Sequence, residues 1–149
     1  MPNDRRVNHQ DDTLPPGLTH AVVPVTSAAD IVTARQRGRV LAESIGFEGS
    51  DLTVIATVIS ELARNVLEYA KVGEIVLSLG QRGSRVGIVV VARDRGPGIP
   101  DISKAMEDGY TTGRGLGLGL PGVRRLVDDF DIVSEVGKGT TVTAKKWVS

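Results

Sequence analysis

Apolar residues recur at helical spacing between Ser50 and Ala70, which predicts a long helix with one buried face. Ser50 is a favourable N-cap residue, and Asp51 places a negative charge in the first turn, where the helix dipole is positive. We therefore expect the helix to begin at Ser50. The apolar positions are Leu52, Ile55, Ala56, Ile59, Leu62, Ala63 and Val66.

The rest of the chain alternates short apolar runs with further helical patterns. An almost continuous apolar run from Val86 to Ala92 is typical of a buried strand. Strands are predicted at residues 20–25, 75–81, 86–94, 130–135 and 140–147, and helices at 27–45, 50–70, 100–107 and 120–129. This order predicts an α+β fold, a two-layer sandwich with helices on one face of a mixed, mainly antiparallel sheet. We expect Lys145 and Lys146 to lie on a solvated strand edge.

Composition narrows the possible classes of protein. The chain has 149 residues, 40% of them hydrophobic and 24% charged, enough for one core but not for two domains. Residues 1–17 are polar and contain three prolines, so we predict a mobile arm before a single domain at 18–149. The chain has no cysteine, which excludes disulfides. Without a long apolar run or a signal-peptide pattern, we expect a cytoplasmic protein.

Charge argues against a nucleic-acid partner. The 18 basic residues balance the 18 acidic ones, whereas nucleic-acid-binding domains carry a basic excess. Aromatic residues make up only 3% of the chain, so platforms for base stacking are scarce.

Asp94 directly follows the predicted buried strand, and Gly96 and Gly98 follow Asp94. A carboxylate at a strand end is accessible to ligand and can accept a hydrogen bond from an amino group such as that of adenine. The two glycines would let the backbone approach a flat ligand closely. By itself the pattern is equally typical of a plain strand-to-loop turn.

Glu61 and Asn65 lie four residues apart in the predicted long helix, so their side chains project from the same side, one turn apart. Magnesium prefers oxygen ligands and keeps several waters, so the Asn65 oxygen together with nucleotide phosphates could hold it. Glu61 would then be available as a base. Arg64 lies beside them and is expected to be mainly solvated.

A glycine-rich segment precedes the helix predicted at 120–129. Its residues are Gly113, Arg114, Gly115, Leu116, Gly117, Leu118 and Gly119. Successive backbone N–H groups of glycines can bind an anion, and the positive end of the following helix favours the same anion. Arg114 could add a phosphate contact. The spacing matches neither the Walker pattern nor a dinucleotide fingerprint, and a flexible loop remains an alternative.

The three segments, in this order, resemble the nucleotide-binding boxes of the GHKL superfamily of ATPases and kinases. The chain is most similar to the small serine/threonine kinases that phosphorylate STAS-domain anti-sigma-factor antagonists, especially the RsbT-type switch kinases of the stressosome. The similarity covers residues 18–148 and is strongest at 60–65, 94–102, 106–112, 119–123 and 143–147.

The resemblance implies a protein serine/threonine kinase that uses ATP and Mg²⁺. Asp94, with Gly96 and Gly98, would bind adenine, Asn65 would hold the magnesium, and the glycine-rich segment from Gly113 to Gly119 would cover the phosphates. Glu61 would be the catalytic base. Thr140 matches the position where relatives place a threonine near the adenine-binding carboxylate, although a threonine in a closing strand is also ordinary.

The implied partners are STAS-domain proteins, as substrates and scaffold, and a downstream phosphatase activated by partner exchange in stress signalling. A two-component histidine kinase would need a phosphoacceptor helix before this domain, and gyrase-like or chaperone-like ATPases would need further domains. The principal alternative is an ATP-binding docking module or anti-sigma factor with little catalytic activity, which would not need Glu61.

Overall fold

The computed structural model describes residues 20–107 and 119–149, within which five strands and four helices form one α+β unit. The strands are β1 (His20–Val25), β2 (Gly73–Arg82), β3 (Arg85–Asp94), β4 (Asp129–Glu135) and β5 (Gly139–Trp147). The helices are α1 (Ala28–Ser44), α2 (Ser50–Ala70), α3 (Ile102–Ala105) and α4 (Gly119–Leu126). The arm predicted at 1–17 lies outside the described residues.

The five strands form one sheet in the order β1-β2-β3-β5-β4, and all four pairings are antiparallel. The β2–β3 hairpin turns at Gly83, whose φ of +60° is in the left-handed region that glycine adopts without strain. The predicted α+β sandwich is confirmed. β5 inserts between β3 and β4, which brings the end of the chain next to the central strand.

Helix α2 is the main support of the sheet because one side of it is buried along most of its length. Ile55, Ile59 and Leu62 are at most 2% exposed and belong to one core cluster with Ile75 of β2 and Val90 of β3. Burial of such side chains contributes about 1.5–3 kcal/mol each, before the entropy of ordering them is subtracted. The helix is thereby fixed against the centre of the sheet.

The opposite face of the sheet carries its own small cluster around Trp147. The indole lies over Gly87, its partner across the β3–β5 ladder, and the Trp147 side chain is 4% exposed in total. Its Nε1 donates to Asp129 Oδ2 at 2.7 Å, and the Arg82 guanidinium lies 4.8 Å from the ring centroid. The aromatic ring thus ties β5 to β2, β3 and β4 on the side away from the helices.

Two expectations about local structure are wrong. Lys145 is 6% exposed and Lys146 is half-buried, because β5 pairs with strands on both sides and is not an edge. The N-cap of α2 is Gly49, with a φ of +61°, and Ser50 is already the first helical residue. Within residues 20–107 and 119–149, no helix is long and apolar enough to cross a membrane.

Asp30, in the first turn of α1, accepts hydrogen bonds from the residues just before the helix, which makes the stability of the fold depend on pH. Its Oδ2 accepts hydrogen bonds from Thr26 N at 2.8 Å, Thr26 Oγ1 at 3.0 Å and Ser27 N at 3.2 Å. Above all the bond from the Thr26 backbone, and then that from its hydroxyl, lowers the pKa of Asp30 below its ordinary value of 3.8. The ionised form is therefore the one that stabilises the fold.

We predict that Asp30→Asn lowers the melting temperature at neutral pH, because the neutral amide accepts these hydrogen bonds more weakly. The stabilisation of the fold by Asp30 is fully present above pH 3.8 and is lost as the pH falls through the lowered pKa of Asp30. Thermal melts between pH 7 and pH 2 should show the two proteins converging at the acid end. Glu43→Gln, near the other end of α1, is the control and should show no such loss; equal melting temperatures at pH 7 would refute the role of Asp30.

Candidate nucleotide-binding site

A pocket at the predicted boxes lies between the carboxyl-terminal half of α2 and the adjoining ends of β3 and β5. It contains about 450 Å³ of space outside the protein atoms, part of it open to solvent. Its lining is mainly apolar and includes four side chains with polar groups, those of Asn65, Tyr69, Asp94 and Thr140. The lining residues are Leu62, Asn65, Val66, Tyr69, Ala92, Asp94, Pro97, Gly98, Ile99, Leu120, Thr140 and Val142.

Asp94 organises the polar side of this pocket with one of its two carboxylate oxygens. Oδ1 accepts hydrogen bonds from Gly96 N at 2.9 Å and from Thr140 N at 3.2 Å. No residue within the described ranges donates a hydrogen bond to Oδ2, so that oxygen can accept from a ligand. Asp94 therefore both fixes the loop that follows β3 and keeps acceptor capacity for the pocket.

The glycines after Asp94 allow backbone to pack against backbone. A Cβ on Gly96 would lie 2.6 Å from Ala70 Cβ, and one on Gly98, whose φ is +81°, would lie 2.5 Å from the Glu135 carbonyl oxygen. Gly98 also lines the pocket, whereas Gly96 faces the end of α2. Close packing explains both residues, and their predicted contact with a flat ligand stays a prediction.

Ser134 of β4 is a component of the site that the sequence analysis did not find. Its Oγ accepts from Ile99 N at 2.7 Å, lies 2.8 Å from Thr140 Oγ1, and reaches Gly139 O at 3.3 Å. A serine in a strand carries no local signal for these contacts, since its partners lie 35 residues before it and at the start of the next strand. Thr140 is brought to Asp94 and the pocket, as the resemblance implies.

Glu61 lies one turn before Asn65 on α2 but is not among the lining residues of the pocket. It is 7% exposed, and its Oε2 accepts from Arg64 Nη1 at 2.8 Å. Arg64 was expected to be mainly solvated; its side chain is 40% exposed, but its guanidinium pairs with Glu61. The i,i+3 spacing of Glu61 and Arg64 was the available signal for this pair.

A second arginine, from α1, lies close to the same part of α2. Arg35 Nη1 donates to Ser60 Oγ at 3.4 Å, and Ser60 is the residue before Glu61. The buried carboxylate therefore has one arginine bonded to it and a second arginine hydrogen-bonded to the neighbouring residue. This arrangement orients Glu61 beside the pocket.

The glycine-rich segment is only partly within the described residues. Gly113, Arg114, Gly115, Leu116, Gly117 and Leu118 lie outside them, and their predicted contact with phosphates stays a prediction. Gly119 starts α4 with a φ of +72°, and Leu120 lines the pocket. The segment thus ends at the pocket that Asn65 and Asp94 line.

The oxygen atoms at the pocket suit a metal ion that is coordinated chiefly by a bound nucleotide. Among residues 20–107 and 119–149, no group of three or more His, Cys, Asp or Glu side chains is placed to hold a metal ion. Asn65 supplies a single neutral oxygen at the pocket. Magnesium commonly binds through one or two protein oxygens plus phosphates and waters, and Asn65 fits that mode.

Comparison with known proteins agrees with this geometry. Residues 50–148 match the family model of the histidine kinase-, DNA gyrase B- and HSP90-like ATPases, which spans α2, the pocket and all strands except β1. The chain belongs to this GHKL ATPase family. The fold class predicted from the sequence is the fold of the family, and ATP is the nucleotide that its members use.

Two kinds of curated relative are similar to the GHKL chain. The serine/threonine-protein kinase RsbT of Bacillus subtilis (strain 168) is 50% identical over 127 residues, which cover 85% of this chain and 95% of the relative. The anti-sigma F factor of Geobacillus stearothermophilus is 36% identical over 103 residues, 64% of this chain and 69% of the relative. The predicted enzyme class, a GHKL-type protein serine/threonine kinase, is confirmed at this level.

A solved structure supports the same assignment. The RsbU and RsbW domains of a Mycobacterium tuberculosis protein match 89% of the GHKL chain with a TM-score of 0.56 and 28% sequence identity. The match spans about a third, 32%, of that longer chain. The likeness therefore concerns one domain of a larger protein.

We predict that Asp94→Asn keeps the fold and weakens ATP binding by about tenfold to hundredfold, the range for loss of a hydrogen bond to a charged group. The asparagine oxygen can still accept from Gly96 and Thr140, but its amide would present a donor where an amino group must bind. Calorimetry with Mg²⁺-ATP and a thermal melt measure the two effects. Asp101→Asn is the matched control, since Asp101 caps α3 and asparagine caps equally well. Unchanged ATP affinity in Asp94→Asn would show that Asp94 does not bind the adenine.

Proposed function

We propose that this protein is a serine/threonine kinase that transfers the γ-phosphoryl group of Mg²⁺-ATP to STAS-domain proteins and acts as a switch by exchanging partners. The observation that carries the proposal is the convergence of Asn65, Asp94 and Thr140 on one pocket, with the buried carboxylate of Glu61 one helical turn away. The 50% identity to the kinase RsbT supports the same reaction.

Phosphoryl transfer requires mainly positioning of ATP and neutralisation of its charge. In the proposed complex, Asp94 accepts from the adenine amino group and the Asn65 oxygen holds Mg²⁺ against the phosphates. Gly113 to Gly119, with Arg114, cover the phosphates from the start of α4, whose dipole also favours an anion. The magnesium supplies charge neutralisation at the transferred group.

Glu61 is the proposed base for the hydroxyl of the acceptor serine or threonine. Its pairing with Arg64 Nη1 at 2.8 Å keeps one carboxylate oxygen fixed, so the other can orient or deprotonate a hydroxyl that enters next to Asn65. The pair with Arg64 accounts for the burial of Glu61, and a module that only docks would not need a base at this position.

The proposed biological setting is the one that the family resemblance implies. STAS-domain proteins of a stressosome would be both substrate and scaffold, and release after phosphorylation would let the kinase activate a downstream phosphatase in the stress response. Residues 18–149 would form the kinase domain and residues 1–17 an arm, in a cytoplasmic protein. None of these partners requires a basic surface excess, in agreement with the balanced charge of the chain.

A second candidate function is supported by the anti-sigma F factors, of which that of Geobacillus stearothermophilus is 36% identical to this chain. In that role the protein would bind ATP and restrain a sigma factor by docking, with catalysis absent or secondary. The kinase function is favoured because the RsbT match extends over 85% of the chain, against 64% for that anti-sigma F factor.

We predict that Glu61→Gln abolishes most phosphate transfer while ATP binding is retained, because glutamine keeps the shape but cannot accept a proton. General-base catalysis is worth about a hundredfold or more, so the loss should reach that range. The measurement is transfer of labelled γ-phosphate from Mg²⁺-ATP to a purified STAS-domain protein. Glu48→Gln, at an exposed position before α2, is the control.

The outcomes separate the two candidate functions. Transfer by the wild type and by Glu48→Gln, but not by Glu61→Gln, supports the kinase with Glu61 in the chemistry. Normal transfer by Glu61→Gln would contradict the role of Glu61. Tight ATP binding without transfer by any of the proteins would favour the docking module.

We predict that Asn65→Ala removes most of the effect of Mg²⁺ on ATP binding, because the variant lacks the oxygen proposed to contact the metal. ATP affinity is measured by calorimetry with Mg²⁺ and again with EDTA, for the variant and the wild type. The wild type should bind ATP more tightly with Mg²⁺, whereas the variant should bind nearly equally under both conditions. A variant that responds to Mg²⁺ as the wild type does would exclude Asn65 as the metal ligand.

A further inference from the structure

The Ser134 hydroxyl can make three hydrogen bonds, and it has three hydrogen-bonding neighbours. A serine hydroxyl has one proton to donate and two lone pairs to accept with. Its neighbours are Ile99 N at 2.7 Å, Thr140 Oγ1 at 2.8 Å and Gly139 O at 3.3 Å. The Ile99 N–H can only donate and the Gly139 carbonyl can only accept, so these two neighbours fix the direction of their bonds.

The direction of the third bond follows from this inventory. If Ser134 accepts from Ile99 and donates to Gly139, its remaining capacity is one lone pair, and the Thr140 hydroxyl must donate its proton to it. This is the arrangement in which all three contacts of Ser134 are hydrogen bonds. In the alternative, Ser134 donates to Thr140, and the carbonyl of the buried Gly139 loses its hydrogen bond from Ser134.

We propose that Ser134 is a specificity-determining residue of the nucleotide site, which turns the Thr140 hydroxyl proton away from the pocket so that Thr140 Oγ1 faces the ligand only as an acceptor. Ser134 is not among the pocket-lining residues, whereas Thr140 is, so Ser134 acts through Thr140. The inference rests on the proposed ATP site and assigns the chemistry of base recognition within it.

The second acceptor is already in place beside the first. Asp94 Oδ1 accepts from Thr140 N at 3.2 Å, which brings its carboxylate and the Thr140 side chain to the same part of the pocket, and Oδ2 accepts from no donor in the described ranges. Two neighbouring acceptors match a group that carries two protons, such as the 6-amino group of adenine or a water bound to it. A 6-oxo group, itself an acceptor, would face them without a proton to share.

The same serine also anchors the pocket wall. Its bond to Ile99 N, together with the bond from Gly137 N to Pro97 O at 2.8 Å, fixes the loop after β3 to the β4–β5 turn. Loss of this anchor would weaken binding of every nucleotide that contacts the loop. The anchoring effect and the proposed directing effect therefore differ in how they depend on the base.

Binding of ATP and of inosine triphosphate separates the two effects, because these nucleotides differ at the 6-position of the purine. Dissociation constants are measured by calorimetry, with Mg²⁺, for the wild type and for Ser134→Ala. In the variant the Thr140 hydroxyl is free to turn its proton into the pocket. We expect ATP affinity to fall by about threefold to tenfold more than inosine triphosphate affinity, because loss of the anchor weakens both nucleotides alike, whereas loss of the directing hydrogen bond affects ATP.

Ser134→Thr, which keeps the hydroxyl, is the matched control and should retain the preference of the wild type for ATP. Ser134→Cys keeps nearly the same volume with a weak donor and acceptor, so it should shift the preference in the direction of Ser134→Ala even if the alanine variant does not fold. In a Thr140→Val background, Ser134→Ala should leave the ratio of the two affinities unchanged, because its route to the ligand is gone.

Equal weakening of both nucleotides in Ser134→Ala and Ser134→Cys would reduce Ser134 to an anchor and overturn the proposal, as would no change in either. Failure of the wild type to bind ATP at all is a different result, since it would reject the proposed nucleotide site itself. A selective loss of ATP preference that Ser134→Thr does not show, and that Thr140→Val cancels, is the result expected from a directed hydroxyl.

Discussion

The pair of hydrogen bonds that Asp94 Oδ1 accepts is the constraint on which the candidate site depends. One bond comes from Gly96, two residues later, and the other from Thr140, 46 residues later, so a single oxygen joins the end of β3, the following loop and the start of β5. Hydrogen bonds from backbone N–H groups to a carboxylate oxygen are stronger than those to a neutral acceptor. The loop can therefore follow only the path that closes one side of the pocket.

The glycines around Asp94 are the steric counterpart of that electrostatic constraint. Gly98 lies against the carbonyl of Glu135, and Gly139, with a φ of +112°, lies against the backbone of Asp94 itself. A side chain at either position would force the two backbones apart, and Gly139 would also be strained by its conformation. Glycine occupies these positions because three segments of backbone meet there, in addition to any contact with ligand.

The apolar core residues of helix α2 and its polar site residues lie on adjoining sides of the helix, so the packing of the core positions the site. Ile59 and Leu62 are held in the core, and this fixes the rotation of the helix about its axis. Glu61 and Asn65 are then directed to the edge of the core, one paired with Arg64 and the other lining the pocket. Substitutions that loosen the buried side should disturb the site even where they touch neither polar residue.

The sequence by itself determined the elements and the order of the boxes, because both are written in local signals. Helical spacing located α2, an uninterrupted apolar run located β3, and the Asp94 and Glu61 segments could be recognised by type and separation. What only the tertiary structure decided was the partner of each group. Strand order put β5 inside the sheet and buried Lys145, and it brought Ser134 to Ile99 and Thr140. Such pairings depend on sheet register and packing between distant segments, for which a residue's neighbours in the chain carry no signal.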